Sequence, residues 1–405
     1  MPPGRPFDRE DTRMTTWVFD GISLPVDNQV RLAFGAGDRE RLPGRFALPG
    51  LVDAHCHLTV DTDEQGPFLA GEDVALARLD ELARAGVSAV RDVGGRREVT
   101  LALARSPRED RPAVLAAGRF LAPEGKYFPR MHEPVEPDQL IAAVEAELAD
   151  GATWIKLVGD FPQVGPDGPI PGSAVEAAYG LEVVEQVVAA AHALGGRVAA
   201  HTTSPVVSEL IRVGVDSIEH GTSIAEQDLA VLAARGGAWT PTLCASVSGR
   251  PGESQEQIDR RRARSRHLTG MLELATQYGV TVLAGSDVVG SIPREIALLA
   301  EHGLDVTQAL QAASTAAWDY LGLLDDGNLV TYAEDPREHP ETLASPSAVI
   351  LHGHRVHQGV LGFTPQSDRR SARAAGRRGR CAGHTPRPCA GRASGPSTRR
   401  RGAVS

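Results

Sequence analysis

Lys156 stands inside the apolar run Trp154-Ile155-Lys156-Leu157-Val158 and is one of two lysines among 42 basic residues. The rest of the chain uses arginine. Arginine serves for solubility and ion pairing, but it cannot be deprotonated, so it cannot replace an amine that must react. One reaction open to such an amine is carboxylation by CO2. It turns the lysine into a carbamate, in effect a long carboxylate able to bridge two metal ions. A buried lysine can equally pair with a carboxylate or carry its ammonium out to water.

Suitable partners end other short apolar runs. In Leu51-Val52-Asp53-Ala54-His55-Cys56-His57 the two-residue period of a strand sends His55 and His57 to one face, where both imidazoles can grip one cation. His201 ends Arg197-Val198-Ala199-Ala200-His201, His220 ends Ser217-Ile218-Glu219-His220, and Asp287 follows Ala284-Gly285-Ser286. Nitrogen and carboxylate ligands without thiolate suit zinc and its first-row neighbours and argue against a structural zinc-cysteine site. Taken singly, each histidine also fits ordinary packing, and Asp287 fits a helix N-cap. Taken together, five segments share one form: apolar strand, polar ligand at its C-terminal end, then loop and helix.

That form has an architectural reason. Between residues 47 and 324 apolar runs near 50–57, 86–92, 113–118, 153–159, 197–201, 216–220, 238–243 and 280–286 alternate with helical patterns. Residues 138–150 put Leu140, Ile141, Val144 and Leu148 on one helical face before Gly151. Residues 174–194 form a second helix ending at Gly195-Gly196, and a further pair spans 293–321. Eight strand-then-helix units predict a parallel (β/α)8 TIM barrel, an α/β fold whose active site lies at the C-terminal ends of its strands. The ligands then sit on strands one, four, five, six and eight.

Over roughly residues 15–358 the chain resembles the amidohydrolase superfamily, in the branch of metal-dependent hydrolases related to imidazolonepropionase and Xaa-Pro dipeptidases. The resemblance rests on residues 48–57, on residues 86–95, on Ile155-Lys156, His201, on residues 214–222 and on Ala284-Gly285-Ser286-Asp287. It implies that His55, His57 and Asp287 hold one divalent ion, most simply zinc, that His201 and His220 hold the other, and that carboxylated Lys156 bridges them. A hydroxide shared by the two ions would then cleave a C–N bond in an amide, peptide-like or cyclic amide substrate, with Asp287 as general base and then general acid. Dipeptidases of the branch carry a tyrosine two residues beyond the fifth-strand histidine. Thr203 stands there and argues against a dipeptide. A barrel that binds metal without catalysis, or an ester or organophosphate hydrolase with the same centre, are the alternatives. Two further residues are candidates for substrate contact. Arg91, at the end of strand two, is placed to bind a carboxylate or to pair with Asp92, and Tyr127, after strand three, to face the site or to pack on the rim.

The flanks complete the plan. Residues 14–46 together with 325–363 read as strands, and relatives build a small β-sandwich from these two ends. Residues 1–13 lack an apolar core segment and read as a disordered extension, with Met14 as an alternative start. From residue 366 to 405 the composition changes to eleven Arg, one Asp and no Leu, Ile, Met or Phe, which cannot bury a core. The formal charge is −10 overall and about −20 without this tail, whose 11 basic residues leave 31 against 51 acidic ones. The tail therefore reads as inert or as an out-of-frame product rather than a nucleic-acid arm. Cys381, His384 and Cys389 lack a fourth ligand for a zinc motif. Outside the tail only Cys56 and Cys244 occur, so no disulfide framework is implied. No apolar run reaches membrane-spanning length, and a cytoplasmic enzyme with a small-molecule substrate, with a homo-oligomer left open, is the expectation.

Overall fold

The computed structural model describes residues 15–358, except 167, 171, 250, 251, 325 and 326. Strands and helices alternate through its middle: β1 (Leu51–Cys56), α1 (Glu72–Arg84), β2 (Val87–Asp92), α2 (Arg97–Arg105), β3 (Ala113–Ala116), α3 (Leu140–Ala149), β4 (Trp154–Val158) and α4 (Leu181–Ala193). There follow β5 (Arg197–Thr202), α5 (Val207–Val213), β6 (Ser217–His220), α6 (Glu226–Ala234), β7 (Ala238–Thr240), α7 (Gln255–Tyr278), β8 (Thr281–Val282) and α8 (Ile292–Glu301). The helices form because their apolar residues recur at three and four. In α4, Val184, Val187, Val188 and Ala191 are buried as one stripe.

The strands run parallel in two sheets, β1-β2-β3 and a short Phe120–Leu121 strand followed by β4-β5-β6-β7-β8. Backbone hydrogen bonds tie the sheets at both seams. Thr153 N–H donates to Ala116 O (3.1 Å); at the other side Ala54 N–H donates to Ala284 O (2.9 Å) and Asp287 N–H to His55 O (2.7 Å). The result is a TIM-barrel-like α/β fold whose ladder is interrupted rather than continuous. At the seam between β8 and β1 the interruption has a local cause, since β8, expected over 280–286, keeps strand pairing only at Thr281–Val282. Beyond it the backbone turns to bring Asp287 inward, leaving one isolated parallel bridge between Cys56 and Asp287. Gly285 permits this close approach, because a Cβ there would stand 2.5 Å from His55 Cβ and 2.8 Å from Thr240 Cγ2.

Small side chains leave room at the centre of the strands. Ala54, Ala89, Ala199 and Ala238 are buried around Trp154 and Leu283, and the space they leave admits the Arg91 guanidinium, whose Cζ lies 4.3 Å from the Trp154 ring centre. The two ends of the chain, expected to form a small β-sandwich, form one seven-stranded sheet, in which Phe46–Leu48 pairs antiparallel with Leu329–Tyr332.

Several boundaries differ from expectation. The helix expected over 174–194 begins at Leu181, after a short Val175–Ala177 strand that pairs with Asp160–Pro162. The pair expected over 293–321 is three helices, because Asp305 starts a new one at Val306–Ala312 by accepting from Gln308 N–H (2.8 Å), before Thr315–Leu321. The extension 1–13 and the Arg-rich tail lie outside the described residues. Among the described residues no helix is long and apolar enough to cross a membrane.

Candidate metal centre

His55 and His57 follow each other on β1 and its continuation, and each ring is held by its Nδ1. His55 Nδ1–H donates to Glu219 Oε2 (2.6 Å) and His57 Nδ1–H to the Gly94 carbonyl (2.8 Å). His220 Nδ1–H donates to Thr242 Oγ1 (2.6 Å), whose own proton goes to Pro241 O (2.8 Å). In all three rings the tautomer is thereby set, and Nε2 keeps its lone pair for a cation.

Strand alternation alone would send Glu219 and His220 to opposite faces. His220 escapes it with φ +66°, and Asp287 and Thr242 adopt φ +56° and +45°. Among the described residues five non-glycine residues have positive φ, and these three meet at one place. Left-handed backbone at such residues costs on the order of 1–3 kcal/mol each, so the surrounding structure must hold it there.

The Asp287 carboxylate completes the cluster. One oxygen is 4.0 Å from His55 Nε2 and 3.6 Å from His57 Nε2, and the other is 4.0 Å from His220 Nδ1. These separations are too long for hydrogen bonds. The two that run to Nε2 atoms, of His55 and His57, suit groups that share an ion, since two ligands each about 2.1 Å from one zinc stand roughly 3–4 Å apart, whereas His220 Nδ1 carries the proton given to Thr242 and is not its ligating atom. Ligand atoms of His55, His220 and Asp287 all lie within 4.8 Å of one another. His220 thus neighbours His55, whose ring centre is 5.1 Å away, as well as His201, with which the resemblance pairs it. The His201 ring lies 4.6 Å from the His220 ring, centre to centre. Lys156 is 1% exposed on β4. Its Nζ and His55 Nε2 are both buried without a hydrogen-bond partner. Two orphaned buried nitrogens amid imidazoles and a carboxylate are what a metal centre requires and an apolar core does not tolerate.

Electrostatics agree. Burial, reinforced by the Lys156 charge, lowers His57 and His201 to about 3, and holds His55 and His220 well below the usual histidine range. Four neutral imidazoles result at ordinary pH. Burial also pulls Lys156 from 10.5 down to about 8, against the opposing pull of Glu219 and Asp287, so a neutral, carboxylatable amine is accessible.

Supporting groups hold the ligands. Asp53, raised by burial to about 7, accepts from His55 N–H (3.3 Å), Ser286 N–H (3.0 Å) and Ser286 Oγ–H (2.5 Å), joining β1 to the residue before Asp287. Asp160 accepts from Thr202 Oγ–H, Thr203 N–H (2.8 Å) and Ser204 Oγ–H (2.9 Å), fixing the turn after His201. Glu219, fully buried, also takes Arg91 (2.8 Å) and Ser217 Oγ–H (2.6 Å).

Arg91 requires correction. Instead of reaching the mouth it is fully buried beneath the histidines, donating to Ala54 O (2.6 Å), Ser217, Thr240 and Glu219. It precedes the end of β2 by one residue, and that position points into the strand interior. Tyr127 does border the site, where burial raises its phenol above the usual range and keeps it protonated. Glu219 escaped notice as a functional residue, although the signal matched that of Lys156: a charge inside an apolar strand.

Above the ligands opens a cavity of about 780 Å³, to which His57, His201, His220 and Asp287 contribute. Residues 46–329 match the amidohydrolase family. An uncharacterized protein of Mycobacterium tuberculosis is 33% identical over 366 residues, covering 85% of this chain and 92% of that protein. Imidazolonepropionase of Micrococcus luteus is 28% identical over 281 residues, covering 60% of this chain and 62% of its own length. A solved Xaa-Pro dipeptidase with bound methionine in the active site aligns with a TM-score of 0.70 at 21% identity, covering 85% of this chain and 100% of that one, a likeness of fold.

Proposed function

Because the chain belongs to the amidohydrolase family, we propose that it is a metal-dependent hydrolase of C–N bonds built on a (β/α)8 barrel. His55, His57, His201, His220, Asp287 and a carboxylated Lys156 would hold two divalent ions, with zinc the best match to an all-nitrogen and oxygen ligand set. The observation that carries the reading is the pair of buried nitrogens without a hydrogen-bond partner, His55 Nε2 and Lys156 Nζ, in one cluster with His57, His201, His220 and Asp287. Relatives named imidazolonepropionase and Xaa-Pro dipeptidase support a C–N target.

Bound there, two divalent ions supply Lewis acidity that lowers the pKa of water and polarises a carbonyl. The protein supplies the rest. The Asp287 carboxylate, which lines the cavity and lies within 4.0 Å of three histidines, takes the proton of the attacking water on one oxygen. It then returns that proton to the leaving nitrogen, so one group serves both halves of the reaction and an amine departs neutral. Glu219 and Gly94 keep the two β1 imidazoles in ligating tautomers, and the neutral Lys156 amine receives CO2.

The test pairs metal analysis with an amide screen. Lys156→Arg retains the fold and loses both bound metal and hydrolysis. A Lys156→Arg protein that is metal-replete and fully active overturns the reading.

A further inference from the structure

Beyond their ladder the ends of β7 and β8 are joined by a side chain from α8. Strand pairing between them stops at Trp239 and Val282, with one more backbone bond from Leu283 N–H to Trp239 O (2.9 Å). Past that point the chain turns at Pro241-Thr242 and makes a single helical turn, Leu243–Ser246. The first N–H groups of such a turn have no partner within it. Glu295, on α8 and fully buried, supplies one. Its Oε1 accepts from Leu243 N–H (2.7 Å) and its Oε2 from Cys244 N–H (2.8 Å). Both oxygens of one carboxylate thus grip the two residues that directly follow Thr242. Burial raises this carboxyl to about 7 although the two N–H groups pull the other way, so an ionisable group is kept there at a cost an apolar side chain would avoid.

Thr242 is the residue whose placement matters. With φ +45° it holds a backbone conformation that β-branched residues rarely adopt, and its Oγ1 accepts from His220 Nδ1–H (2.6 Å). From the other side the loop between Asp287 and α8 presses on the same turn, since a Cβ at Gly290 would meet Cys244 Cβ at 2.5 Å. We infer that Glu295 is a positioning residue, which sets the tautomer and aim of His220 by clamping the turn that carries Thr242. Its consequence for metal binding rests on the centre proposed above. With the clamp loosened, Thr242 relaxes toward an ordinary backbone conformation and its Oγ1 leaves His220 Nδ1. The imidazole then loses the bond that keeps its lone pair on Nε2.

Glu295→Gln is the direct test, because an amide of the same shape accepts from one of the two N–H groups but turns its own NH2 toward the other. Two readouts are taken on the full chain at mildly alkaline pH. In metal-free protein labelled with ¹⁵N-histidine, with resonances assigned by single His→Gln variants, Glu295→Gln displaces the Nδ1–H signal of His220 and leaves those of His55 and His57 in place. Asp305→Ala removes the N-cap of the Val306–Ala312 helix and serves as the control for lost stability. It leaves all three signals unchanged. With zinc, Glu295→Gln weakens binding at least about tenfold, as for loss of a partner behind a ligating histidine. Thr242→Val weakens it too, and adding Glu295→Gln to Thr242→Val costs less than about a further twofold, because both changes break one link. Should Glu295→Gln fold poorly, Glu295→Asp, which keeps the charge but falls short of the amides, gives the same direction. A folded Glu295 variant with the His220 signal in place or zinc affinity unchanged, an equal displacement in Asp305→Ala, or zinc losses that multiply in the double variant overturns the inference. A wild-type chain that binds no zinc counts against the hydrolase instead, and the His220 signal alone then decides the role of Glu295.

Discussion

Glu219→Gln tests how the centre is held, since it preserves shape and removes one charge. In the native arrangement Glu219 accepts from His55 Nδ1 (2.6 Å), Arg91 (2.8 Å) and Ser217 (2.6 Å), all fully buried. Two effects follow. The Arg91 guanidinium is left without a counter-charge where water cannot reach it, at about 3–5 kcal/mol for a broken buried pair. Independently, an amide can present its NH2 to His55 Nδ1, which moves the imidazole proton to Nε2 and removes the lone pair a cation needs. Loss of such a supporting partner weakens metal binding roughly 10- to 100-fold. The double variant Glu219→Gln with Arg91→Met separates the two, because replacing both buried partners by groups of similar volume is close to neutral for folding. Urea midpoints should therefore recover in the double variant while zinc affinity, from competition with a chromophoric chelator, stays low. Single and double variants that bind zinc as tightly as the wild type would refute the role assigned to Glu219.

Further outcomes can be measured on the same material. Lys156, lowered from 10.5 to about 8, binds fewer protons folded than unfolded between those values. The metal-free protein should thus gain stability as pH rises from 8 to 10.5, and Lys156→Met should abolish that rise while stabilising the metal-free form at pH 7 by about 3 kcal/mol, at some 1.4 kcal/mol per pKa unit; a flat difference between the two urea curves across that range refutes it. Incorporation of ¹³CO2 as a carbamate, followed by NMR in the presence of zinc, should increase toward pH 8 and be absent from Lys156→Met. Gly285→Ala should destabilise by about 1–3 kcal/mol, because the new Cβ meets His55 at 2.5 Å, and should lower zinc content; unchanged zinc content argues against the close approach. Stripping metal with a chelator should cost about 3 kcal/mol relative to the protein at a hundredfold excess of zinc over its Kd, and an unshifted thermal midpoint would argue against a resident ion.

Much of the candidate site was legible because His201, His220 and Asp287 end apolar runs and Lys156 interrupts one, and a parallel α/β fold gathers such strands. What stayed illegible depended on contacts distant in the sequence or on backbone conformation. Arg91 reads as a mouth residue because buried charges are rare, and its partner Glu219 lies 128 residues away. The inward turn of His220 requires a positive φ that strand periodicity does not encode. The shortness of β8 follows from the need to place Asp287, and apolar patterning alone extends the strand too far. The terminal strands were legible as strands, but their joining into one sheet depends on pairing between Phe46–Leu48 and Leu329–Tyr332.

The seam between β8 and β1 has a meaning for biosynthesis. Asp287 enters only when the last strand docks beside the first, through Ala54–Ala284 and His55–Asp287 backbone bonds. If the proposed ions bind there, an emerging chain would carry scattered imidazoles before it owned a complete chelating pocket. Capture of an ion would then wait for the ring of secondary structure to come together, and the ion would act as a late rivet on a finished scaffold.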